Sequence, residues 1–362
     1  MSMIFQRAAI REFTRAAAVV FTVLLAILVT TLLIRLLGQA AGGRLAPEAV
    51  AALLVFAVVG YLPVLLSLTL FVSGLVTLSR WYRDSEMVIW LNAGLPLSAW
   101  IKPVFRYAWP FILGITLLSL LITPWANQQG KAYRQKVDNR SDVSRVSPGM
   151  FNESASGDRI YFVEDSGQLE GSVKNIFVSS IQQGRLGVMA TATGHTEVMP
   201  TGDRFLVLER GRRYEGTAGT PEYRVMEFER YALRIETKEA RGLKDSPRTM
   251  SLSELTRSPQ LDAKAELLWR LGLPVAALTL AFFAIPLSFV NARSGWANNL
   301  VFALLTFMVY SNLLSVSQAW VAQGKLRFEL GLWLIHLVML LLLAVFFHWR
   351  QNPLSWKRLS WR

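Results

Sequence analysis

The stretch "YRDSEMVIWLNAG" (82–94) gathers charged side chains at the head of an otherwise apolar segment, between two long apolar runs. Asp84 or Ser85 can cap a helix N-terminus, and Glu86 complements the helix dipole in the first turn. Gly94 suits the position just past a helix end, with Pro96 two residues on. The spacing predicts a helix over 85–93, about 13 Å long and too short to cross a bilayer. At about 100° per residue, Glu86, Ile89, Trp90 and Ala93 share one face, Met87 and Leu91 a second, Val88 and Asn92 a third. Apolar groups all round point to two covering surfaces: the protein's own membrane helices and a cytoplasmic partner. A helix resting on lipid, anchored by Trp90 and Trp100, is the plainer alternative, although such a helix has a clean polar face and this one does not. Docking a short helix into a partner groove is how membrane subunits take up motion from soluble ATPases.

Other reactive chemistry is absent. The sequence has no phosphate-binding G-x-x-x-x-G-K-[ST], no G-x-S-x-G and no H-E-x-x-H, so no ATPase or hydrolase site of its own is expected. There is no cysteine, which excludes disulfides and thiolate metal sites. The three histidines, His195, His336 and His348, lie far apart, and no metal site is expected. His336 falls in an apolar run, where a hydrogen bond to a neighbouring helix accounts for it.

The elements that position these groups follow from composition. Of 362 residues, 52% are hydrophobic and 17% charged, and mean hydropathy is +0.35, which places the chain in the membrane class. The net charge of +13 is not spread evenly: 126–266 carries 21 Lys/Arg against 20 Asp/Glu, the remainder 17 against 5. The basic excess therefore flanks apolar runs, where headgroups and topology explain it and nucleic acid does not. Six runs are long enough to span: 16–34, 49–78, 107–125, 267–290, 296–322 and 330–349. The first is read as a retained span; at 19 residues it is longer than a signal-peptide core. Twelve Lys/Arg flank one side and four (Arg35, Arg44, Lys325, Arg327) the other, so both termini are expected in the cytoplasm and 126–266 outside.

Within 126–266, "RIYFV", "VKNIFV", "GVMATAT", "RFLVL" and "YRVMEFERYALRIET" read as strands separated by turn residues. The apolar set of the last changes register between Phe228 and Tyr231, which predicts a bulge or bend. Strands about ten residues apart favour a sandwich or partly closed barrel. Helical connectors flank them: an extension over 128–145, a capping box "SLSE" (Ser251 to Glu254), and a helix start with Ser258 as N-cap and Pro259 at N1. The expected fold is thus an α-helical membrane protein of six spans with an inserted all-β domain. Its parts are 1–125 (spans one to three and the short helix), 126–266 (β domain and connectors) and 267–362 (spans four to six and tail).

Several stretches carry a family resemblance across essentially the whole chain: "LLIRLLGQAAGG" at the end of span one, "WYRDSEMVIWLNAGLPLS" (81–98), "PGMF" (148–151), "YEGT" (214–217), "AELLWRLGLP" and "IPLSFVNARSG" around span four. The sequence resembles the lipopolysaccharide export permeases of the LptF/LptG family, and the contexts of Arg35 and "ARSG" are more similar to its F branch. The resemblance implies a periplasmic β-jellyroll between spans three and four in the bacterial inner membrane. It implies a heterodimer with a second related permease, a cytoplasmic ATPase dimer that uses ATP and magnesium, and a bitopic partner whose periplasmic jellyroll continues the path. It further implies that the chain itself binds no cofactor, and that lipopolysaccharide enters from the outer leaflet and leaves through the jellyrolls.

Carried onto this sequence, the resemblance makes Glu86 the ATPase-coupling residue, supported by Asp84, Ser85 and Gly94; for Asp84 and Ser85, helix capping remains an equal reading. Arg83-Asp84 is more charged than the family pattern. Arg35 becomes a contact to lipopolysaccharide phosphates or sugars, suited by its planar guanidinium, with snorkelling as the plain alternative. Arg44 and Arg270 are weaker candidates for the same role. Phe162, Phe177, Leu206 and Phe228 are candidates to line an acyl-chain path, or equally to form a closed core. Two other functions stay open: a permease of a different ATP-driven lipid or lipoprotein exporter, which would lack these motifs, and a non-transporting membrane-anchored scaffold, which would need neither the apolar short helix nor a cation at the end of span one.

Overall fold

In the computed structural model, the structure describes residues 2–42, 45, 47–144, 151–153, 159–166, 172–182, 185–198, 204–217, 223–234, 246–289 and 296–351. Two compact units emerge, Met1–Tyr133 with Ser246–Arg362, and Arg134–Asp245. The connectors expected to belong with the β domain lie in the helical unit from Ser246 onward, because helix α7 binds them, as set out below.

The helical unit contains α1 (Ser2–Ala41), α2 (Val50–Arg83), α3 (Glu86–Asn92), α4 (Ile101–Leu117), α5 (Thr123–Ser144), α6 (Leu252–Arg257), α7 (Leu261–Leu287), α8 (Trp296–Ala322) and α9 (Phe328–Gln351); α5 continues beyond the unit's boundary. Six segments are long and apolar enough to span, with α4 and α5 joined through a π-helical turn at Leu118–Ile122 into one. The protein is therefore a six-span α-helical membrane protein with an inserted β domain. Span three begins at Leu97, ten residues before the apolar run. Lys102 and Arg106 lie in these first turns and are exposed, while the neighbouring Val104 and Tyr107 are buried. Helix α7 is the hub: 67% of an 18-residue apolar stretch in it is buried, against 11% in α1 and 22% in the other spans.

Lipid offers no hydrophobic drive between helices, so small and polar residues set these packings. Gly331 on α9 sits so close to α8 that a Cβ there would come within 2.7 Å of Val321. The Ser317 hydroxyl donates to the Gly331 carbonyl at 2.7 Å, and Ser73 and Tyr107 hydroxyls meet at 2.7 Å. Tyr310 hydroxyl and His336 Nδ1 are 2.6 Å apart, the interhelical bond expected for His336.

The second unit is one antiparallel sheet of β1 (Phe151–Glu153), β2 (Arg159–Ser166), β3 (Ser172–Gln182), β4 (Arg185–Val198), β5 (Arg204–Gly216) and β6 (Tyr223–Arg234), paired in sequence order. The four longest strands run 11 to 14 residues, longer than their apolar cores. One row across the sheet, Glu164–Asn175–Ala192–Arg210–Glu229, is missing from every successive pairing from β2 to β6. Asn175 and Arg210 in that row adopt positive φ, 49° and 51°. The register change expected in β6 is thus one end of a crease through the sheet. Across the crease, Arg213 donates to the Tyr231 hydroxyl and Phe228 packs on Tyr231 at 5.3 Å. Ile176, Val178, Met189 and Leu208 form the buried core beneath them.

At the connectors, Ser251 and Glu254 form the expected capping box, with both reciprocal bonds present. Helix α7 starts later than expected: Gln260, not Ser258, is the N-cap, and the Ser258 hydroxyl instead accepts from the Gln260 amide at 3.3 Å.

Candidate functional site

Helix α3 spans Glu86–Asn92 and ends as the sequence dictates. Gly94 has φ +85°, its amide bonds the Leu91 carbonyl, and the Leu95 amide bonds the Trp90 carbonyl. This is a Schellman closure, which needs the left-handed conformation glycine reaches without a steric cost. The start differs from expectation. Ser85 occupies the N-cap position at φ 62°, ψ 5°, and makes no side-chain cap. Asp84 ends α2 and faces Arg83 (3.4 Å) and Arg80 (3.9 Å). Asp84 and the left-handed Ser85 make the break between α2 and α3.

One side of α3 is seated in its own membrane unit. Met87 is fully buried, and it joins a cluster with Phe13, Trp81, Trp100 and Tyr107, with Trp90 packed against it. Trp100 is buried against Trp81 at 5.0 Å, so it is no headgroup anchor. The other side is open: Ile89 is 68% exposed and Val88 47%, beside exposed Glu86. A carboxylate next to a small bare apolar patch on a rigid, capped helix suits an ion pair flanked by a packed contact.

The sequence reading missed the group that anchors this corner. Glu12 on α1 accepts from Arg80 Nη2 at 2.6 Å and from Trp81 Nε1 at 2.7 Å. Its neighbour Phe13 stacks on Tyr107 at 5.0 Å and lies 5.6 Å from Trp81. Glu12 is an acidic residue amid basic ones in the N-terminal segment, and its partner is 68 positions away. No local pattern marks it.

The cations picked out for substrate separate clearly. Arg35 is exposed near the end of α1 and makes no ion pair among the described residues. Arg44 lies outside the described residues. Arg270 is buried in α7, 2% exposed at its side chain, and its guanidinium is spent on the protein. Its Nε donates to Glu266 Oε1 at 2.9 Å, Nη1 to the Met250 carbonyl at 2.9 Å, and Nη2 to the Pro247 and Arg248 carbonyls at 3.0 and 3.2 Å. Ser119, in the π-helical turn, donates to the Arg270 carbonyl at 3.1 Å.

In the β domain the four apolar candidates do not form one stripe. Phe162 and Phe177 are direct partners in the row Phe162–Phe177–Ala190–Arg212–Glu227. Phe228 lies in the adjacent row with Ile176, Thr191 and Gly211, on the opposite face by the alternation of a pleated strand. Leu206 pairs with Thr196 and Leu233, and its side chain is outside the described set. Phe162, Phe177 and Phe228 nevertheless border one open concavity of about 810 Å³ along the crease. An Arg212–Glu227 pair at 2.7 Å borders it too.

Comparison with known proteins gives this geometry its context. The model of the family described as lipopolysaccharide export system permease LptF/LptG matches residues 7–349. Curated relatives named lipopolysaccharide export system permease protein LptF, from Escherichia coli strain K12 and from Shigella flexneri, are each 25% identical over 362 residues. Each match covers 99% of this chain and 98% of the relative.

Proposed function

The chain belongs to the lipopolysaccharide export permease family LptF/LptG, and on that premise we propose that it is the permease subunit of an ATP-driven exporter. The exporter extracts lipopolysaccharide from the bacterial inner membrane and passes it through the chain's periplasmic β domain toward the outer membrane. The chain itself hydrolyses nothing. A cytoplasmic ATPase dimer holds ATP and magnesium, a second related permease completes the membrane path, and a bitopic protein with a periplasmic jellyroll receives the lipid. Both termini lie in the cytoplasm, as the twelve-to-four bias of Lys/Arg between the two sides supports.

The observation that carries this reading is the half-seated α3. Met87 plugs it into the membrane unit while Glu86, Val88 and Ile89 remain uncovered. Such a helix transmits force between a partner bound to its open face and the spans beneath its buried one. Glu86 is the coupling residue, Asp84 and Ser85 form the joint to α2, and Gly94 fixes the far end. Arg35, exposed and unpaired among the described residues, is the phosphate contact at the other end of α1.

Co-purification with the second permease and the ATPase, followed by ATPase assay in proteoliposomes containing lipopolysaccharide, tests it. Glu86→Ala should weaken ATPase capture or lipopolysaccharide-stimulated hydrolysis about tenfold, the scale of one charged interfacial hydrogen bond. Wild-type assembly together with wild-type stimulation would remove α3 from the coupling role.

A further inference from the structure

Helix α1 runs unbroken from Ser2 to Ala41. Glu12 and Arg35 therefore stand on one continuous rod, roughly 35 Å apart at 1.5 Å per residue. At the Arg35 end the side chain is exposed. At the Glu12 end the rod grips α2 by two short bonds from a single carboxylate oxygen, to Arg80 and Trp81. These residues lie four and three positions short of Asp84, the residue that caps the end of α2. Arg80 also reaches Asp84 at 3.9 Å, and the Arg80 carbonyl accepts from the Asp84 amide at 2.8 Å. Ser85 follows in its left-handed conformation, and α3 begins. Trp81 is held a second time, between Phe13 of α1 and Trp100, in the cluster that receives Met87 of α3.

We infer that Glu12 is a positioning residue for coupling: through Arg80 and Trp81 it ties the axial and rotational setting of α1 to the angle of α3 at the Asp84–Ser85 joint. This rests on the reading of α3 as the ATPase-coupling helix. The single joint makes the tie consequential. Two helices separated by Asp84 and a left-handed Ser85 change their mutual angle through a few backbone dihedrals, and among the described residues the ion pairs at that joint tie Asp84 to Arg80 and Arg83, with Glu12 reaching Arg80 from α1. Charge-assisted bonds of 2.6 to 2.7 Å to one oxygen fix direction as well as distance. Packing alone holds Phe13 and Met87 in place when the carboxylate is removed, so α1 and α3 stay assembled and lose only their fixed mutual orientation. Occupancy sensed at the Arg35 end of α1 then no longer reaches α3.

The test uses the reconstituted complex of both permeases and the ATPase in phosphatidylethanolamine–phosphatidylglycerol proteoliposomes, with and without lipopolysaccharide. Glu12→Ala should leave assembly and basal hydrolysis intact while the ratio of stimulated to basal hydrolysis falls about fivefold or more, the usual scale of a coupling free energy. Glu12→Gln, which keeps an acceptor oxygen and the volume, should retain part of the stimulation. Arg80→Ala should match Glu12→Ala, and the double variant should lose no more than either single one, because the two act as a unit. An unchanged ratio in Glu12→Ala, or losses that multiply in the double variant, overturns the inference. If Glu12→Ala does not assemble, the Gln variant decides: a wild-type ratio there with a wild-type ratio in Arg80→Ala overturns it equally. Glu86→Ala, run in parallel, separates the two levels. If it alone disrupts coupling, the α3 reading stands and Glu12 is only a structural contact; if it disrupts nothing, the α3 reading itself falls.

Discussion

Arg35 and Arg270 look alike in the sequence, each a lone arginine near the end of an apolar run, yet the fold surrounds them in opposite ways. Arg270 is enclosed, and four of its hydrogen bonds end on one carboxylate and three main-chain carbonyls. The carbonyls belong to the connector that follows the β domain, so the side chain is a bolt between that connector and the hub helix. Arg35 is exposed, with no ion pair among the described residues. The buried guanidinium has four of its five donors already taken by the protein, whereas an exposed, unpaired one keeps all five for a phosphate. Position along a span therefore does not distinguish a structural cation from a ligand-ready one. The fate of its donors does.

The sharpest way to break this contrast is to remove the bolt. Arg270→Met leaves Glu266 as a buried, unpaired carboxylate and strands three carbonyls, at a cost of about 3–5 kcal/mol. Thermal unfolding of the detergent-solubilised protein should drop markedly and yield should fall. Replacing Glu266 as well, in Arg270→Met with Glu266→Leu, should recover part of the loss, because the isolated charge is gone. A single variant with wild-type stability would show that Arg270 is not structural and would return it to the substrate candidates.

Arg35 should behave in reverse. Arg35→Glu removes no protein partner, so stability should stay within roughly 0.5 kcal/mol of wild type. Site-specific crosslinking to lipopolysaccharide from residues near the end of α1 should fall about tenfold or more, since a charge-assisted bond becomes a repulsion. Unchanged crosslinking and transport would leave Arg35 a snorkelling boundary residue, and the contrast would reduce to burial alone.

How much of this was legible in the sequence depended on range. The six spans followed from apolar run length, and the end of α3 from Gly94, because these signals are local. The capping box at Ser251 and Glu254 was read for the same reason. Local signals also misled: Lys102 and Arg106 hid the first turns of span three, although they only decorate its outer side. Ser258-Pro259 resembled a helix start, while the cap fell to Gln260. The Glu12–Arg80 tie and the Arg270 bolt join residues 68 and 20 to 23 positions apart, and nothing local announces either. The crease is a property of five strands in register. Only its trace in β6, the shift between Phe228 and Tyr231, was visible in one strand.

The β domain supplies a third arginine that places the other two on a scale. Arg212 forms a 2.7 Å bond with Glu227 across β5 and β6, and that bond raises its pKa above the ordinary value. Both side chains are nonetheless more than 60% exposed. An exposed pair exchanges water for a partner of similar worth and gives up rotamer freedom to do so, hence many such pairs contribute nothing measurable. Arg212→Gln should therefore leave the unfolding midpoint unchanged. The pair does border the concavity that Phe162, Phe177 and Phe228 share, so the substitution separates geometry from stability. If the concavity meets the polar part of a passing lipid, crosslinking from position 177 changes while the melt does not. If neither changes, a short, well-formed bond here is only surface, and exposure, the property Arg212 shares with Arg35, does not by itself make a site.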